Sequence, residues 1–171
     1  GRANATIIIS PDALEYVHKA ANELQSYVRQ ISDAQLSIVT DPAQARGVRI
    51  WVGNHAGLTQ LYKQQPQLDV KLDESDEVLL YAGGQDVVIR GKDIIIEGKE
   101  VQVGTYLAMQ RFHMEKLGVR WLWPGELGTD IPRSSTIRIE PFFENYAPQI
   151  KYRRIRGVEY EYRWRERFEI P

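Results

Sequence analysis

Apolar positions along this chain switch between two spacings. Residues 5–9 (ATIII) form a short unbroken apolar run, the pattern of a strand buried on both faces. From Leu14 the spacing becomes three and four. Leu14, Val17, Ala21, Leu24, Val28 and Ile31 make one stripe along about five helical turns. Ser10-Pro11-Asp12 predicts the start of that helix, with Ser10 as N-cap, Pro11 as first helical residue, and Asp12 and Glu15 in the first turn. The opposite face carries His18, Lys19, Asn22, Glu23 and Arg29. Two short strands follow at 36–39 and 48–52, separated by the loop signal Asp41-Pro42. Asn54 is placed to cap a short helix over 55–64, which Pro66 limits.

Residues 67–76 are polar and read as a loop. Two apolar runs, 78–81 and 87–89, flank Gly83-Gly84 and predict a β-hairpin. A third run, 94–96, lies between Gly91 and Gly98 and predicts one more strand. The second long helix spans 104–116, with Val103, Tyr106, Leu107, Gln110, Met114 and Leu117 on its inner face and Gly118 placed to end it with φ > 0. Gln110 is a polar break in that face. Strands at 119–122 and 136–139, joined by an aromatic turn, complete the pattern. The expected fold is α+β: a mixed β-sheet with two long helices packed on one face.

A length of 171 residues fits one domain, or one domain and the start of another. Residues 1–140 read as the α+β domain and 141–150 (EPFFENYAPQI from 140) as a linker. Residues 151–169 differ in composition, with seven basic, four acidic and five aromatic side chains. Lys and Arg total 22 against 23 Asp and Glu, a net charge of −1, which does not point to nucleic acid or to a polybasic membrane contact. The glutamates interleaved in the tail weaken a nucleic-acid reading further. No apolar run approaches the roughly 18 residues of a membrane span. The absence of cysteine excludes disulfides, Cys-based metal sites and a thiol nucleophile.

Little else in the chain carries chemistry. His18, His55 and His113 have no zinc-site spacing and read as solvated helix-face residues. The glycines form neither a dinucleotide nor a P-loop fingerprint, and there is no nucleophile elbow. Asp73, Glu74, Asp76 and Glu77 read as a solvated loop run rather than an acid/base pair. No catalytic residue, metal ligand or cofactor is expected. The exception to this blandness is the turn GVRWLWPGELGTDIP, residues 118–132. Trp121 and Trp123 would fall on one side of a strand, with Leu122 opposite. Indole faces stack on sugar C–H faces and leave the N–H free for a hydroxyl. Arg120, Trp121, Trp123 and Glu126 are therefore the candidate binding or contact residues, against the simpler reading that both indoles plug the end of the sheet.

Three stretches resemble the N-terminal accessory domain that precedes the catalytic barrel in bacterial α-glucuronidases and β-hexosaminidases. ALEYVHKAANELQSYVRQISDAQLSIV, residues 13–39, resembles that family's A-A-x-E-L-x-x-Y-L-x-x-I-(S/T)-G helix and following strand, with Asp33 where the family often has Gly. RIWVGN, residues 49–54, resembles its I-x-(V/L)-G strand. VGTYLAMQRFHMEKLGVRWLWPGELGTDIP, residues 103–132, resembles its G-T-x-Y helix and the L-G-(V/C)-R-W turn. Residues 92–100 look like an insertion relative to the family, with an extra strand or hairpin.

The resemblance implies a non-catalytic domain of a carbohydrate-degrading glycoside hydrolase. Its partners would be the catalytic barrel of the same polypeptide and a poly- or oligosaccharide substrate. The setting implied is extracellular or periplasmic. Residues 151–171 would begin the following domain as the first strand of a (β/α)8 barrel, which needs roughly 250 residues. The alternative is a free-standing carbohydrate-binding or protein-interaction module, with the aromatic turn and basic tail as its surface.

Overall fold

The computed structural model describes residues 2–149 apart from Ser75, Gly98 and Pro124, and leaves the side chains of 99–101 and Glu126 undescribed. The tail at 151–171 lies outside the described residues. The fold is α+β. In chain order the elements are β1 (Ala5–Ile8), α1 (Glu15–Ser32), β2 (Ser37–Val39), β3 (Val48–Val52), α2 (Leu58–Gln64), β4 (Val78–Gly83), β5 (Asp86–Gly91), β6 (Asp93–Ile96), β7 (Lys99–Val103), α3 (Gly104–Glu115), β8 (Arg120–Trp121), β9 (Thr129–Asp130) and β10 (Phe142–Tyr146).

Six strands form one mixed sheet in the order β10-β4-β5-β3-β1-β2. β2, β1, β3 and β5 run parallel, while β4 is antiparallel to both β5 and β10. Central strands buried on both faces need apolar residues at every position, which explains the unbroken runs in the sequence. Their side chains divide cleanly between the faces. Ile7, Ile50, Val52, Leu80 and Ile89 face α1 and α3, whereas Ile8, Trp51, Leu79, Tyr81 and Val88 face the other way.

The two long helices share one face, as the pattern predicts. Val17, Ala21, Leu24, Val28 and Ile31 are all buried against α3 and the sheet. The opposite face is covered by α2 through Leu58 and Leu61, and by Leu68 from the 3-10 turn Pro66–Leu68. α3 is buried almost all round and has no single stripe. It also holds polar groups that the stripe reading treats as breaks. Gln110 is fully buried and donates to Glu23 Oε2 at 2.9 Å, while the Tyr106 hydroxyl donates to Glu23 Oε1 at 2.8 Å. Glu23 therefore tethers α1 to α3 instead of facing solvent.

Two glycines set how α3 meets the sheet. A Cβ on Gly91, at the end of β5, would run into the backbone of Gly104, and one on Gly104 would run into the backbone of Lys92. Only glycine allows this approach. Asp93 then fixes the junction. Its carboxylate accepts from the Thr105 amide at 2.8 Å and from the Thr105 hydroxyl at 2.6 Å, so it caps the N-terminus of α3.

Several expectations are corrected. α1 begins at Glu15, not at Pro11. Ser10 and Asp12 hydrogen-bond each other, and Ala13 N–H donates to the Ser10 carbonyl at 3.1 Å, so these residues close a turn of their own. α2 begins at Leu58, and Asn54 does not cap it. The hairpin turn is Gly84-Gln85, with Gly83 the last residue of β4. Residues 136–139 form no strand. Their alternation instead sets Ile137 and Ile139 against the core while the segment crosses it as an extended strap.

The last strand, β10, falls at Phe142–Tyr146, inside the stretch read as a linker. α3 holds it there. Arg111 Nη2 and Nε lie 2.6 and 2.7 Å from Glu144 Oε1, and the guanidinium sits 4.0 Å from the Tyr146 ring centroid.

Candidate functional site

Past α3 the chain turns at Gly118, whose φ of +73° is the left-handed geometry expected there. The Val119 amide donates to the His113 carbonyl at 3.0 Å, which holds the exit close to the helix. β8 then pairs antiparallel with β9, Arg120 opposite Asp130 and Trp121 opposite Thr129. This ribbon is hydrogen-bonded separately from the main sheet. The loop between its strands folds on itself. Leu122 N–H donates to the Gly128 carbonyl at 2.8 Å, and Gly128 N–H donates to the Gly125 carbonyl at 3.1 Å.

The two tryptophans part company in this loop. Trp121 is 6% exposed. Its indole N–H donates to the Tyr27 hydroxyl at 3.1 Å, and its ring lies edge-on to Tyr27 and His113, with centroids 6.2 and 6.3 Å away. Trp123 is 53% exposed, beside Leu122 and the 93% exposed Leu127. The expected shared wall of indoles is therefore not formed. β8 ends at Trp121, so strand alternation does not extend to Trp123. Arg120 is exposed at the base of the loop. Pro124 and the Glu126 side chain lie outside the described residues.

His113 was expected on a solvated face. It is fully buried, packed edge-on to Tyr27 with centroids 4.8 Å apart. Its burial depends on α1 and β8, which are distant in sequence, so helical position alone does not reveal it. His18 is exposed, and His55 is half-buried beside Trp51, its Nδ1 accepting from Gly57 N–H at 2.8 Å. The acidic run is corrected in one member. Glu77 is buried, and its Oε2 accepts the amides of Asp73 and Glu74 at 2.8 and 3.0 Å, which organises the loop.

A second ribbon went unmarked as a surface in the sequence. β6 and β7 pair antiparallel just before α3, and Ile95 and Ile96 are half-exposed or more on it. The same fold thus carries two short ribbons, one at each end of α3. Among the described residues, no group of His, Cys, Asp and Glu is arranged to hold a metal ion, and no helix is long and apolar enough to cross a membrane. Among the described residues, the exposed side chains of the 120–128 tip include Leu122, Trp123 and Leu127, with the Arg120 guanidinium at its base.

No family model and no curated protein matches this chain. Solved structures do. One is a family GH115 4-O-methyl-α-glucuronidase with specificity for decorated arabinogalactans, similar over 90% of this chain at 21% identity with a TM-score of 0.63. The chain spans 18% of the length of that enzyme. At this identity the likeness is one of fold.

Proposed function

We propose that this chain is a non-catalytic accessory domain of a carbohydrate-degrading glycoside hydrolase of the α-glucuronidase or hexosaminidase kind. It packs on the catalytic barrel of the same polypeptide, and its 120–128 tip borders the sugar site. The observation that carries this reading is the fold likeness, which takes in nearly all of this chain and under a fifth of a glucuronidase. The resemblance of residues 103–132 to the accessory-domain motif also supports it. The tip adds a surface suited to the task, with Leu122, Trp123 and Leu127 exposed beside Arg120. In this reading residues 151–171 begin the barrel, the substrate is a poly- or oligosaccharide, and the enzyme works outside the cytoplasm. The acid and base reside elsewhere, and no residue of this chain is assigned a catalytic role.

A second reading is a free-standing carbohydrate-binding module, favoured by the accessible Trp123 indole alone. The test is a comparison of this chain with the polypeptide extended through its downstream coding sequence. Glycosidic hydrolysis confined to the extended protein supports the accessory role. A stop codon close to Pro171, with oligosaccharide binding by the chain alone, supports the module. Turnover of aryl glycosides by the isolated chain that survives repurification overturns both.

A further inference from the structure

A cavity of about 420 Å³ lies between the sheet and the two long helices, where β1, β3 and β5 begin. Its floor is core: Leu24, Val28, Ile50 and Phe112 are all buried. Its roof is the strap that carries Ile137 and Ile139. Its rim is exposed and includes Gly84, Ser135 and Thr136. Protein interiors leave few voids larger than a water molecule. Two small residues, Ala34 just past α1 and Ala82 from β4, are in its lining. Engineered apolar cavities of roughly 150 Å³ already accept benzene, and ligand pockets begin near about 300 Å³.

The buried polar side chains of the lining, Asp86 and Ser32, are engaged by the protein, while Arg2 and Asn4 lie at the exposed rim. Asp86 Oδ2 takes Arg49 Nη2 at 2.6 Å, and its Oδ1 accepts from the Trp51 indole at 2.8 Å. The Ser32 hydroxyl donates to the Val28 carbonyl at 2.8 Å. The interior therefore offers an occupant apolar surface, and the hydroxyls of Ser135 and Thr136 at the mouth offer it hydrogen bonds. We propose that this cavity is a binding site for a small uncharged apolar molecule of one or two rings, entering between the Gly84 turn and the strap. The site is distinct from the tip described above and does not depend on the accessory-domain reading.

The test uses N-phenyl-1-naphthylamine, an uncharged fluorescent probe, with the 171-residue chain. The expected result is a saturable rise in fluorescence at one probe per chain and a probe-dependent rise in Tm, as ligand linkage requires. Ala82→Phe fills the cavity and should weaken binding by about tenfold or more. Trp123→Ser, at the other apolar surface, should leave it unchanged. Thr136→Trp closes the rim without touching the core, and it decides the matter if Ala82→Phe does not fold. Absence of saturable binding to the wild-type chain overturns the proposal. So does undiminished binding by folded Thr136→Trp, or a signal that disappears with Trp123→Ser.

Discussion

The sheet with its helices and the two ribbons flanking α3 are built on different terms. In the body, the central strands have a partner layer on each face: α1 and α3 on one side, α2 and the turn after it on the other. In the ribbons β6–β7 and β8–β9 the anchoring contacts among the described residues lie at the base. Asp93 holds the first base by capping α3, and Trp121 holds the second by entering the core beside Tyr27 and His113. Beyond those bases Ile95, Ile96, Leu122, Trp123 and Leu127 are exposed. Of the six large hydrophobics exposed among the described residues, five sit on these ribbons, so their exposure is not scattered as surface apolar residues usually are. A two-stranded ribbon is marginal by itself in water. The comparison teaches that stability is concentrated at the ribbon bases, while the tips are surface available for contact.

That division orders the mutational effects. Trp121→Ala removes a buried indole and its bond to Tyr27, and should cost about 3–5 kcal/mol in urea denaturation of the isolated chain. Leu24→Ala, mid-stripe on α1, should cost about 2–5 kcal/mol; a loss under about half a kcal/mol would remove that stripe from the core. Asp93→Ala should cost about 1–2 kcal/mol through loss of the α3 cap. Trp123→Ala and Ile96→Thr, at the tips, should change stability by no more than about 0.5 kcal/mol. If Trp123→Ala were as damaging as Trp121→Ala, the distinction between base and tip would fall.

The smallest effect is a titration. The Ser10 hydroxyl, then the backbone amide, hold the Asp12 carboxyl below its ordinary range, with His55 adding a weaker pull. A depressed carboxylate stabilises the fold above its unfolded pKa, and that contribution is lost as pH falls through the folded value. Asp12 is fully exposed, so the observable is its NMR titration and not the stability curve. Ser10→Ala should move that titration back up toward the ordinary carboxylate value.

Much of the body is legible in sequence because it depends on period. The α1 stripe, the buried runs of β1 and β3, and Gly118 all act locally. Where a residue's partner comes from another element, the pattern misleads. Glu23 looks solvated until Tyr106 and Gln110 approach it from α3, and His113 until Tyr27 and Trp121 enclose it. Residues 136–139 and 142–146 show the same effect in strands. Both segments alternate, but hydrogen bonding to β4 makes only the second a strand, and Glu144 is held by Arg111 across 33 positions. Ser10 and Asp12 satisfy each other and leave the start of α1 to Glu15. At the site, the Trp-Leu-Trp pattern pointed to a contact surface. The end of β8 after Trp121 separates a buried Trp121 from an exposed Trp123, and such an early strand end carries no sequence signal.

We propose above all that the 120–128 tip docks on a catalytic domain of the same polypeptide. Hydrogen exchange measured on the isolated chain and on the polypeptide extended through its following domain tests it most directly. The account predicts fast exchange at Trp123 and Leu127 in the isolated chain and marked protection in the extended protein, with the exchange of α1 and β4 largely unchanged. Equal exchange at Trp123 and Leu127 in both proteins would contradict it.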